Sequence, residues 1–476
     1  MGDEADEAGG GDSPLDADVV ADVAEEVGVV EDGDRWMDWV EVGVAALGFA
    51  AASTGFGLVV ASLALATQAR TGSAALATGA LAVEFFARFA VSMPAAAAAK
   101  EHGRKVVILG AALLGVLGGL LAFADYYAHT YVLYFVGIAL IGVANCVAQQ
   151  LRFVAAEAVA PKYKPRALSL TVAGGTIAAF VGPELAPASR RLLPIDFAGS
   201  FLIMACCYLC LFVFTLGLTT VDGPRESSWV GVEATTGCCG QREVDAEEKD
   251  PEEGPDDEPL DKEVGEQREE GWRDVLRMLG EFPEVRKGVG AVTVAWTCMF
   301  LVMSAAPLAI VGDADGGHTF EESSRALQIH LILMFLPGLL GTGDLVRIFG
   351  HDAVICAGLA LYALCSVFTY MATPMPTGAV PLWVFLTILA ILGLAWNLIF
   401  VAGSALMTPR EGGFTLPKSK IVQGFAEACT FGLVAIVAAS SGAILSAAGW
   451  RGLNLCILPI TFGLLVYLAH DRISRS

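Results

Sequence analysis

Twelve apolar stretches, each long enough to cross a bilayer and each broken off by Gly, Pro or charge, dominate this 476-residue chain. They lie near residues 43–67, 74–97, 106–124, 130–153, 167–188, 198–219, 289–311, 327–346, 353–373, 380–406, 421–446 and 451–469. A helix needs about 20 residues to cross about 30 Å of hydrocarbon. The runs are continuously apolar, whereas barrel strands alternate and are about half as long. The sequence therefore predicts an all-α membrane protein with 12 transmembrane helices.

The net charge of -22 does not contradict this, because counting localises it. Residues 1–41 hold 15 Asp or Glu against one Arg, and residues 222–287 hold 21 acidic against 9 basic residues, which leaves the membrane body slightly basic. Segments so polar cannot bury a core. They divide the chain into an acidic disordered tail (1–39), a first membrane bundle (40–220), an acidic linker (221–287), a second membrane bundle (288–470) and a short tail (471–476). Neither the basic patch of a nucleic-acid binder nor a Gly-x-x-x-x-Gly-Lys-Ser/Thr phosphate loop is present. Lipid is the expected surrounding, and neither nucleic acid nor a cofactor is an expected partner.

With an even number of helices both ends share one face. The short loops on that face, with the C-terminal tail, carry thirteen Lys and Arg against five on the other, which places both termini in the cytoplasm. The start MGDEADEAGG lacks the basic-then-apolar order of a signal peptide, so the first membrane helix is expected to serve as its own insertion signal.

The two membrane bundles are equal in length and share an internal register. The stretch from Gln150, QLRFVAAEAV, lies over NLIFVAGSAL from Asn397 at an offset of 247 residues. The same offset puts Gly103 on Gly350 and Val107-Ile108 on Val354-Ile355. Two six-helix repeats in the same orientation, related by an axis along the membrane normal, follow from this.

These features resemble the major facilitator superfamily (MFS). The resemblance covers residues 40–470. Locally it rests on Gly103-Arg104-Lys105 after the second run, on Glu157, Pro161 and Arg166 between the fourth and fifth, and on Gly343-Asp344-Leu345 with Phe349-Gly350 after the eighth. The runs QQLRFVAAEA and AGGTIAAFVGP resemble a bacterial permease branch. The inner-loop pattern of the superfamily reads approximately G-x-L-x-D-R-x-G-R-R, and its Asp position is Lys100 in the first repeat and Arg347 in the second. The resemblance implies two pseudo-symmetric six-helix bundles that carry a small organic solute by alternating access, as a monomer, with H+ as a candidate coupling ion. The alternative is a receptor or scaffold that kept the fold and lost the cycle, since the acids of the gate motif are missing. No cluster of His, Asp and Glu on facing runs points to an enzyme.

Three charges inside apolar runs are the sharpest candidates, because each is costly in hydrocarbon. Glu84 and Arg88 stand four residues apart on one helix face. They form either a self-neutralising pair that seals the second helix or a protonation site. Glu427 has Gln423 one turn before it and no basic residue within a turn, so its partner must come from another helix, from water or from the solute. The resemblance makes the fourth and tenth helices cavity-lining, which nominates the repeat-matched Gln150 and Asn397 with Asn145, Gln149, Trp296 and Trp396; packing between helices is the competing reading. It also assigns Gly103, Arg104, Lys105, Arg152, Glu157, Arg166, Gly343, Arg347 and Gly350 to a cytoplasmic gate of altered wiring. His330 reads as a structural residue opening the eighth helix, and the eleven Cys show no metal-ligand spacing.

Overall fold

The computed structural model describes residues 17–159, 164–219, 277, 279–312, 317–372, 380–407 and 416–475, and every regular element among them is helical. The first half comprises α1 (Ala17–Thr71), α2 (Gly79–His102), α3 (Arg104–Ala128), α4 (Val132–Glu157), α5 (Lys164–Arg190) and α6 (Ala198–Leu216). The second comprises α7 (Pro283–Val311), α8 (Phe320–Phe349), α9 (His351–Ala372), α10 (Leu382–Leu406), α11 (Leu416–Leu455) and α12 (Ile457–Arg475). Eleven stretches are long and apolar enough to cross a membrane, and the last of them, Gln423–Ser474, has 52 residues. At about 1.5 Å per residue that is two crossings. Gly449, at φ 65 and ψ -177, kinks it inside α11, and the second crossing continues from there through α12.

Several boundaries differ from the hydropathy reading, each for a local reason. α1 reaches back to Ala17, inside the acidic segment assigned to a disordered tail, because a helix leaving the membrane keeps its internal hydrogen bonds in water. α7 begins at Pro283, within the expected linker, where proline at the first helical position has its φ pre-set and loses no needed donor. α8 begins at Phe320 rather than near 327, because Thr319 and Glu322 form a capping box: the Thr319 Oγ1 accepts from the Glu322 N–H at 3.2 Å, and Glu322 Oε2 accepts from the Thr319 N–H at 2.8 Å. His330 consequently sits well inside α8, fully buried, with Nδ1 2.9 Å from the Leu389 carbonyl of α10. The side chain of Lys100, Pro161 and residues 221–276 of the linker lie outside the described residues.

Packing repeats between the halves. In the first, α3 packs on α4, α2 on α4 and α1 on α5; in the second, α9 packs on α10, α8 on α10 and α7 on α11. The two main contacts between halves obey the same rule, α2 against α11 and α5 against α8, which exchange under a twofold axis. Gly103 (φ 81, ψ 152) and Gly350 (φ 83, ψ 161), matched by the 247-residue offset, turn the chain identically between α2 and α3 and between α8 and α9. Each needs a positive φ that a side chain resists.

Helices in lipid gain little from the hydrophobic effect when they associate, so close contact must do the work. α3 and α4 touch backbone to backbone: a Cβ on Gly118 would stand 2.6 Å from the Gly137 carbonyl oxygen, and one on Gly137 would stand 2.5 Å from that of Gly118. Gly110, on the same helix as Gly118, has open space around it. Gly137→Leu is expected to destabilise the protein by about 1–3 kcal/mol through overpacking, while Gly110→Leu is expected to leave the melting temperature in detergent unchanged.

Candidate functional site

The apolar run of α2 forces Glu84 and Arg88 into the membrane, and helical spacing makes them meet. Arg88 Nε and Nη2 donate to Glu84 Oε1 at 2.9 and 2.5 Å. Asn145 Nδ2 of α4 donates to the same oxygen at 2.8 Å, and the Tyr208 hydroxyl of α6 donates to Asn145 Oδ1 at 2.9 Å. All four residues are buried. The Arg88 guanidinium faces the rings of Phe56 (4.4 Å), Phe85 (4.7 Å) and Phe431 (5.4 Å). Phe85 meets Phe300 edge to face at 4.4 Å. Helices α1, α2, α7 and α11 thus close an aromatic layer around one cation, from both halves.

Beside that layer lies an aromatic slot between the halves. Trp296 of α7 stacks on Phe300 at 5.5 Å and 8°, Trp396 of α10 stacks on Phe400 at 4.4 Å and 12°, and the two indoles meet edge to face at 5.2 Å. The slot has two lobes that share Gln149, Arg152, Trp296 and Phe400. One lobe continues to Phe49, Phe56, Arg88 and Phe335; the other runs past Glu427 and Ser404 to Met407, at the end of α10 nearest the chain termini.

The partner of Glu427 is Arg152, whose Nη2 donates to Glu427 Oε1 at 2.8 Å. This ion pair joins α4 to α11 across the slot, with side chains 17% and 19% exposed, so it belongs to the cavity. The sequence grouped Arg152 with the gate because nothing in one helix reveals which helix from the other half will face it.

The other nominated residues divide. Asn145 borders the slot, but its amide is engaged by Glu84 and Tyr208. Gln150 and Asn397, nominated as a cavity pair, line neither lobe. Thr342 Oγ1 donates to Asn397 Oδ1 at 2.7 Å and Asn397 Nδ2 donates to the Met334 carbonyl at 2.9 Å, which braces α8 where the π turn Gly338–Thr342 kinks it. The residues one position earlier, Gln149 and Trp396, do line the slot and are matched by the same offset. So are Phe49 and Trp296.

On the face carrying the chain termini, Arg104 binds Glu157, with Nη2 3.0 Å from Oε1, and Lys105 Nζ donates to the carbonyls of Leu216 and Leu218 at 3.2 and 2.5 Å. Arg166 lies over the Trp39 ring. Among the described residues Arg347 pairs with nearby Asp344, at 3.3 Å and largely exposed, just after Gly343 opens the last segment of α8. The corresponding tie of the second half uses Lys287, at 3.1 Å from Asp352 and 2.8 Å from Asp471. Sequence reasoning had assigned Lys287 to the linker. It also left Arg70 in the loop after the first apolar run, which ends near residue 67, whereas Arg70 lies within α1 and binds the buried Asp125 at 2.5 Å beneath three tyrosine rings.

The opposite face is closed between the halves. Arg191 pairs with Glu321 at 3.0 Å, Phe197 packs on Phe320 at 5.8 Å, and the Gly442 N–H donates to Thr78 Oγ1 at 3.2 Å. Two bundles related by a twofold axis, closed at one face around a midplane slot, match a known architecture. The profile of the Major Facilitator Superfamily covers residues 45–416.

The chain belongs to the Major Facilitator Superfamily. It is a multi-pass membrane transporter rather than an enzyme. It is 28% identical over 385 residues to the riboflavin transporter RfnT of Brucella anthropi, covering 79% of this chain and 82% of that one. It is 24% identical over 433 residues, 87% of each chain, to the MFS-type transporter YddS of Bacillus subtilis. Among solved structures it resembles the Escherichia coli fucose:proton symporter FucP, with a TM-score of 0.59 at 14% identity over 90% of this chain and 98% of that one. A second FucP structure, in the outward conformation, gives 0.58 at 15% identity over 91% and 99%. At that identity the likeness concerns the fold.

Removing the carboxylate of Glu84 leaves Arg88 charged and buried without its counter-ion. Glu84→Ala is expected to cost about 3–5 kcal/mol, and the double substitution Glu84→Leu, Arg88→Met is expected to recover much of that loss in thermal melts.

Proposed function

We propose that this MFS transporter carries a planar heteroaromatic solute of the riboflavin class. The observation that carries this reading is the slot bordered by Trp296, Trp396 and Phe400, with Phe300 stacked behind Trp296, whose stacked and perpendicular rings suit the faces of a flat ring system. The riboflavin transporter of Brucella anthropi among its relatives supports it. Both walls and the ion pair between them come from one chain, so the reading needs no second copy. The Lys and Arg distribution supports cytoplasmic termini, which makes the slot, in this conformation, continuous with the cytoplasmic side. Alternating access then requires the far-face contacts Arg191–Glu321 and Thr78–Gly442 to open while the terminal face closes.

The same reading places H+ coupling on Glu427 rather than Glu84. Glu84 Oε1 already accepts three hydrogen bonds inside one half, whereas Glu427 faces the slot and bonds across the halves, where protonation changes what holds them together. Solute flux in proteoliposomes separates this reading from the non-transporting alternative, which predicts none.

In proteoliposomes the protein is expected to take up riboflavin, faster with an imposed pH gradient, and Trp396→Ala is expected to weaken riboflavin binding about fivefold or more. Glu427→Gln is expected to keep counterflow exchange while losing gradient-driven accumulation. Uptake no faster than in protein-free liposomes would sink the reading.

A further inference from the structure

Aromatic walls hold the faces of a flat solute but do not choose which edge leads. That choice falls to polar groups bordering the slot: the Gln149 amide and the Arg152 guanidinium border both lobes, Glu427, paired with Arg152, borders one, and the Trp396 indole borders the other. Two donors in this group are orphaned. Arg152 Nε and Trp396 Nε1 are buried atoms with no hydrogen-bond partner among the described residues, and Trp396 is only 2% exposed. A buried donor left unpaired costs more than a made hydrogen bond returns. Both residues line the slot, so a solute that enters it can bring the acceptors they lack. Glu427 beside them supplies the opposite character, because an ionised carboxylate only accepts.

We propose that Arg152, Trp396, Glu427 and Gln149 read the imide edge of the solute, two ring carbonyls flanking an N–H, and that its hydroxylated chain is not the recognised element. Arg152 and Trp396 donate to the carbonyl oxygens, Glu427 accepts from the N–H, and Gln149, which can do either, completes the set. Donors and an acceptor segregated on separate groups complement a rigid acceptor–donor–acceptor edge. A chain of hydroxyls, each both donor and acceptor, does not require that segregation. The inference rests on the riboflavin-class reading and goes beyond it by naming the edge and the residues that select it.

The test is a titration of full-length protein in detergent, following quenching of flavin fluorescence, with riboflavin, lumiflavin (the same edge without the hydroxylated chain) and N3-methylriboflavin (the imide N–H blocked). Lumiflavin is expected to bind within about threefold of riboflavin, and N3-methylriboflavin at least about tenfold more weakly, since a site built to bond an N–H rejects the analogue lacking it. In Glu427→Ala the preference for riboflavin over N3-methylriboflavin is expected to fall below about threefold, and Glu427→Gln, which keeps an acceptor, is expected to restore it. Equal binding of riboflavin and N3-methylriboflavin by the unaltered protein overturns the inference and leaves the riboflavin reading standing. A failure to bind riboflavin at all overturns both.

Discussion

A guanidinium in the middle of a membrane protein must be neutralised and enclosed, and the way Arg88 meets that demand organises the rest of the molecule. Its counter-ion, Glu84, is one turn away on α2, so insertion of that helix does not wait for tertiary structure. The carboxylate then draws in Asn145 of α4 and, through it, Tyr208 of α6, which fixes the relative rotation of three helices. The open faces of the cation are covered by Phe56, Phe85 and Phe431, the last from the other half. A costly group has become the point where the two bundles register.

From that layer the geometry of the slot follows. Phe300 packs on Phe85 and also stacks under Trp296, so the wall of the slot is continuous with the packing around Arg88. The halves meet a second time at Arg152–Glu427, with a different character: each partner is partly exposed and the bond crosses a space that a solute must enter. One ion pair is internal to a helix and permanent in kind; the other spans the moving interface, where a bond can break without leaving a charge stranded in lipid.

The missing acids of the inner-loop motif illustrate how wiring can change while a fold persists. Lys105 no longer needs an acid at that position, because it binds the Leu216 carbonyl at the end of α6 and the Leu218 carbonyl just beyond it, and Arg104 binds Glu157. In the second half Lys287 takes the central place, with Asp352 and Asp471 around it. The turns at Gly103 and Gly350 nevertheless keep the same backbone angles, so the repeat is stricter in its backbone than in its charges.

The sequence alone determined the class of fold: twelve apolar runs can satisfy their backbone in lipid only as helices, and a shared 247-residue offset reveals a duplicated bundle. It also located the buried pair on α2, because helical spacing is a local property. Only the tertiary structure decided which polar residues face the solute. Gln149 and Gln150, or Trp396 and Asn397, are adjacent and about 100° apart on a helix, so an offset that aligns one pair aligns the other equally well. Which of them turns toward the slot depends on the turn within α4 and on the kink of α8 that Asn397 braces. The meeting of Arg152 with Glu427, 275 residues apart, is set by the packing of one half against the other, which no local pattern encodes.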